Sequence, residues 1–111
     1  MERRTPTRLA HRILSETELR VWDGLPPADE ARRARFLAVR WSVKEAAYKA
    51  VYPLARPTWK DFTFHSLSAD GLRKPMLEYH THDLAARLWT IHTSVSHDGE
   101  YVFATVLIEA P

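Results

Sequence analysis

An unbroken helical pattern over residues 29–52 constrains this chain more than any other feature. Gly24 and Pro26-Pro27 break the chain before it, and Pro53 stops it. Its apolar positions are Ala31, Ala34, Leu37, Ala38, Val43, Ala46, Ala47 and Ala50. So many alanines predict close approach by neighbouring elements. The chain has 111 residues, which suits one compact domain spanning 1–111. Apolar residues make up 45%, enough for a core, which argues against global disorder. A domain this small can still gain stability from oligomerisation.

The remaining elements follow from local signals. Ser15-Glu16-Thr17-Glu18 fits a capping box and predicts a short helix through Trp22. Phe62 and Phe64 alternate with Asp61, Thr63 and His65, which predicts a strand. Residues 68–71 read as a turn and residues 75–79 as the partner strand. Thr81 is the expected cap of a helix through Leu88. Two apolar runs, residues 90–97 and 100–108, are joined by Asp98-Gly99, a hairpin signal. Helices come first and strands mostly later, so the expected fold class is α+β, with an antiparallel sheet.

The absence of cysteine excludes disulfides, thiolate nucleophiles and cysteine zinc sites. No apolar run approaches the roughly 20 residues a membrane span needs, and no signal-peptide pattern opens the chain. These observations predict a cytoplasmic or mitochondrial protein that is not secreted and does not insert in a membrane. The net charge is +2 and the sequence pI about 9.2. Arginines cluster at 3, 4, 8 and 12, and again at 32, 33, 35 and 40. Such patches favour an anionic partner, a phosphate ligand or an acidic protein, unless they are simply solvated faces. Nucleic acid is disfavoured because no RNA-recognition motif is present.

Chemistry concentrates in Arg40-Trp41-Ser42-Val43-Lys44-Glu45-Ala46-Ala47-Tyr48-Lys49. On a helix Glu45 and Lys49 sit one turn apart, about 40° around the axis. A carboxylate that can hold a divalent cation then lies beside an ammonium that can hold a phosphate. The pairing suits phosphoryl chemistry on a magnesium-bound pyrophosphate, although the same spacing is common on solvated helices. A second candidate segment is Thr93-Ser94-Val95-Ser96-His97-Asp98. Alternation puts Ser94 and Ser96 on one strand face, Val95 and His97 on the other. Small hydroxyls and an imidazole at a strand end can contact phosphate or ribose. The other reading has the serines facing water and His97 capping the turn. No Gly-x-Ser-x-Gly elbow, clustered-glycine phosphate loop or zinc-ligand spacing is present.

Together these segments resemble the holo-acyl-carrier-protein synthases, the small 4′-phosphopantetheinyl transferases. The resemblance rests on residues 36–50 as the central helix motif and residues 94–104 as the closing hairpin. Lys74-Pro75 after Gly71 is similar to the family's Gly-Lys-Pro turn, with two residues inserted. His11-Arg12-Ile13-Leu14-Ser15-Glu16-Thr17-Glu18-Leu19 is similar to the stretch leading to the second helix. The resemblance implies transfer of the phosphopantetheine arm of coenzyme A to a serine of an acyl carrier protein. It makes Glu45 a magnesium ligand, and Lys49 a contact to the coenzyme pyrophosphate. Arg40 and His97 would hold the 3′-phosphate end, with Lys44 and Ser96 lining the same site. Carrier proteins are acidic, so Arg8 and Arg12 become the docking residues. The family also implies a homotrimer, with the site between subunits. One departure stands out: residues 1–6 carry no Gly-x-Asp, the family's strand with a second metal carboxylate. That departure leaves open a non-catalytic relative, a carrier-binding or scaffold subunit.

Overall fold

The computed structural model describes residues 4–66, 74–99 and 101–111; the side chains of residues 4–6 and of His97 lie outside that description, as does the turn expected at 68–71. Three helices come first. Helix α1 (Arg4–Ile13) was not expected as an element of its own. Helix α2 (Glu16–Gly24) starts with the expected capping box: the Ser15 N–H donates to Glu18 Oε1 at 2.8 Å, and the Glu18 N–H to Ser15 Oγ at 3.4 Å. Helix α3 (Glu30–Val51) is capped by Asp29, whose carboxylate accepts from the Arg32 N–H at 3.1 Å.

The buried face of α3 differs from the one the alanines suggest. Phe36, Leu37, Val39, Arg40, Val43, Lys44, Ala47 and Val51 are buried, while Ala31, Ala34, Ala38 and Ala50 are exposed. The helical period is present, but Arg40 and Lys44 occupy two of its inward positions and mask it in a hydropathy reading.

A 3₁₀ turn (Trp59–Asp61) leads into β1 (Phe62–His65), which pairs antiparallel with β2 (Met76–Tyr79). Helix α4 (Leu84–Arg87) is a single turn, capped by Asp83 rather than Thr81. The Asp83 carboxylate accepts from the N–H groups of Ala85 and Ala86, whereas the Thr81 hydroxyl reaches back only to the Asp83 N–H. Strands β3 (Thr90–Asp98) and β4 (Tyr101–Glu109) form the expected hairpin. Its turn falls one residue later than Asp98-Gly99, because Asp98 still pairs with Tyr101. Gly99 has φ 60°, a conformation that only glycine adopts without strain.

Two clusters make the core. Ala10, Ile13, Leu14, Trp22, Leu25, Phe36 and Leu37 join the first three helices. Val39, Val43, Ala47, Phe62, Phe64 and Leu77 join α3 to the β1–β2 sheet, with Ile91, Val95, Val102, Ala104 and Val106 packed against them. Helix α3 thus runs through both clusters. Its two sides separate two cavities.

Candidate functional site

Glu45 and Lys49 sit on an exposed face of α3. Their charged groups are 3.8 Å apart, with more than half of each side chain open to solvent. An exposed pair of this kind contributes at most about 1 kcal/mol to stability, so both charges are available to a ligand. The Trp41 indole donates to Glu45 Oε2 at 3.2 Å, one turn earlier on the helix. The Trp41 ring in turn meets Trp59 edge-on, with ring centroids 6.3 Å apart. Glu45 is therefore held by an aromatic neighbour that sequence reasoning missed. The i, i+4 spacing of Trp41 and Glu45 was its signal. Beside them lies a cavity of about 440 Å³, lined by Lys44, Glu45, Tyr48, Pro57, Trp59 and Phe62.

Arg40 faces a different space. It is 7% exposed, with its guanidinium 3.7 Å from the Phe36 ring centre and 5.3 Å from that of Phe64. Its Nε has no hydrogen-bond partner among the described residues. Burial pushes its pKa down to about 10, opposed by the nearby Glu18 carboxylate, so it stays charged at neutral pH. Arg40 lines a cleft of about 1000 Å³ shared with Arg32, Arg35 and Lys74. A buried guanidinium with an unpaired N–H, facing a cleft with three further cations, fits a phosphate. Arg32 and Arg35 entered the sequence reading only as part of a charge patch.

Lys44 lies elsewhere. Its side chain is fully buried, and its ammonium donates to Ile13 O at 2.6 Å, Glu18 Oε1 at 2.5 Å and Trp59 O at 3.0 Å. An ammonium has three N–H bonds, and all of them are used. Burial lowers the Lys44 pKa, and pairing with Glu18 opposes that shift. Lys44 lines the smaller cavity and has no donor left for a phosphate.

The hairpin candidates are only partly described. Ser94 and Ser96 are exposed, on the strand face that also carries the exposed Phe103 opposite Ser96. His97 pairs with Val102 in the register. Arg8 and Arg12 are exposed one turn apart on α1. The structure therefore brings Glu45 and Lys49 together, and gathers Arg40 with Arg32, Arg35 and Lys74. It does not bring those two groups together within one chain. Arg40 and Glu45 are five residues apart on α3, about 140° around the axis. Among the described residues, no three His, Asp or Glu side chains converge to hold a metal ion. No helix there is long and apolar enough to cross a membrane.

Comparison with known proteins gives a consistent picture. The family model of the 4′-phosphopantetheinyl transferase superfamily matches residues 1–106. A holo-[acyl-carrier-protein] synthase of Vibrio cholerae is 36% identical over 112 residues, covering 96% of this chain and 82% of that protein. The enzyme of the same name from Erwinia tasmaniensis is 35% identical, covering 96% and 83%. That from Serratia proteamaculans is 36% identical, covering 96% and 82%.

Proposed function

Because the chain belongs to the 4′-phosphopantetheinyl transferase superfamily, we propose that it moves the phosphopantetheine arm of coenzyme A onto a serine of an acyl carrier protein. The observation that carries this reading is the pairing of Glu45 with Lys49 on one exposed face of the motif helix. The serine oxygen forms the new bond to phosphorus and gives up its proton to a carboxylate or to water, the pyrophosphate P–O bond breaks, and the adenosine bisphosphate leaves. Lys49 contacts the pyrophosphate and stabilises the charge that builds on the leaving group. Arg40, with His97 as a second candidate, holds the 3′-phosphate. Ser96 is a weaker candidate at the same end. Phe36 and Phe64 fix the Arg40 guanidinium in place before the ligand arrives.

Glu45 fits magnesium in the way that ion is usually bound, by one or two carboxylates with substrate phosphates and water completing the shell. When bound, the ion would neutralise pyrophosphate charge. Arg8 and Arg12 dock the acidic carrier protein, and that partner sets the reaction within fatty acid biosynthesis.

Arg40 and Glu45 diverge by about 140° on one helix, while the 3′-phosphate and pyrophosphate of one coenzyme lie close together. That divergence supports a site shared between two copies, as in a homotrimer. The outer face of the β3–β4 hairpin supports it too: Tyr101, Phe103 and Leu107 are 70%, 61% and 58% exposed.

Calorimetric titration of coenzyme A against dephospho-coenzyme A tests the ligand. Tighter binding of the former is expected. Equal affinities would remove the 3′-phosphate role of Arg40 and His97. Mg²⁺-dependent incorporation of labelled pantetheine into a carrier protein tests the reaction. Carrier binding without transfer would favour the scaffold reading.

A further inference from the structure

The three acceptors of Lys44 belong to three different elements. Ile13 O ends α1, Glu18 belongs to the capping box of α2, and Trp59 O opens the 3₁₀ turn. Glu18 is equally committed. Besides Lys44, its carboxylate accepts from the Ser15 N–H at 2.8 Å and from the Phe64 N–H at 2.8 Å, which ties α2 to β1. Glu18 lines the larger cleft and Lys44 the smaller cavity, so the ion pair forms the wall between them. The wall continues through Ser15 Oγ to Thr63 Oγ1 at 2.7 Å.

This pair fixes how α3 is rolled about its own axis. Lys44 immediately precedes Glu45, so whatever sets the direction of one sets the other. A helix side chain reaches about 5–6 Å from the axis, so a roll of about 10° moves its tip by about 1 Å. A misplacement of that size can cost about 100-fold in rate. Apolar packing opposes such a roll through many weak, non-directional contacts, whereas the buried Lys44 ammonium opposes it through three directed hydrogen bonds to separate elements.

We propose that Lys44 and Glu18 are positioning residues for the transfer reaction, an internal ion pair that sets the roll of α3 and hence the place of Glu45 and Lys49. Neither touches substrate. The inference rests on the transferase reading, yet it makes a structural claim that can be read without ligand.

The test compares wild type with Glu18→Gln/Lys44→Met. The double variant removes both charges at similar volume, which avoids an unpaired buried charge and favours a folded product. Circular dichroism and thermal melting verify folding, and Lys44→Arg serves as a conservative second variant that keeps the charge. In the double variant kcat should fall at least tenfold, and the coenzyme A Kd should weaken with it, because Arg40 and Lys49 ride on the same helix as Glu45. Lys44→Arg should recover part of kcat. The indole N–H resonance of Trp41, assigned through Trp41→Phe, reports its bond to Glu45 and should shift in the ligand-free double variant. An unchanged kcat in a folded double variant overturns the proposal. So does a loss confined to coenzyme binding, which would make Lys44 a ligand. If wild type neither binds coenzyme A nor transfers, the transferase reading fails by itself. The Trp41 resonance then decides the positioning claim alone, and an unmoved signal overturns it.

Discussion

Lys44 shows how a buried charge is tolerated at the scale of one residue. Its burial disfavours the ammonium, and only the Glu18 carboxylate and two carbonyls offset that cost. Removing one partner is therefore worse than removing both. Lys44→Met should cost about 3 kcal/mol in urea denaturation, and adding Glu18→Gln should return much of that loss. The pH dependence has a definite sign. The folded-state pKa of Lys44 lies below its ordinary 10.5, so between the two values the unfolded chain binds more protons. Stability from this residue is complete above 10.5 and is lost as pH falls through the folded pKa. Lys44→Met should thus flatten the alkaline rise of stability expected of wild type; an identical slope would contradict the burial of the charge. Residue chemistry was only half legible in the sequence. The type and spacing of Glu45 and Lys49 announced a charged pair on one face. Nothing in Lys-Glu-x-x-x-Lys says that its first lysine points inward, because that depends on carbonyls 31 and 15 residues away.

Caps and turns carry the element scale. Ser15 is a cap with a second duty: besides closing α2, its hydroxyl accepts from Thr63 on β1. Asp29 caps α3 at an exposed site with one bond. A lone exposed cap is worth about 1 kcal/mol. Chemical denaturation should therefore show Asp29→Ala costing about 1 kcal/mol and Ser15→Ala about twice that, since the latter also strips a partner from buried Thr63. Equal costs would mean that the Ser15–Thr63 bond is weak. Gly99→Ala, at φ 60°, should cost a further 1 kcal/mol or so at the hairpin turn. These local devices explain why most elements could be read from the chain. The Ser15–Glu18 box, the prolines around α3 and the alternation at Phe62 and Phe64 are all short-range signals. Failures came where two signals compete within a few residues. Asp83 outbids Thr81 as a cap because its carboxylate reaches two N–H groups ahead, and the hairpin turn slides past Asp98 so that Gly99 takes the left-handed position.

At the scale of the whole molecule, the two halves of the proposed site face different ways. Arg40 opens on the larger cleft, and Glu45 with Lys49 lies on the other side of the same helix. If the proposed trimer closes the site, each centre takes Arg40 from one copy and Glu45 from its neighbour. The hairpin face with Tyr101, Phe103 and Leu107 is the surface available for that contact. Phe103→Asp should then lower the sedimentation coefficient and the transfer rate together. A sharper consequence follows from sharing. Arg40→Met and Glu45→Ala should each be nearly inactive alone. Mixed in equal amounts and allowed to exchange subunits, they should form about a quarter of their centres from two intact contributions, because each closed interface pairs one face with the other. Labelled-pantetheine incorporation by the mixture should rise well above that of either variant. A mixture no more active than its components, with subunit exchange verified by mass spectrometry, would place Arg40 and Glu45 in the same copy's site. The shared-site reading would then fail, and each copy's Arg40 would have to serve its own Glu45.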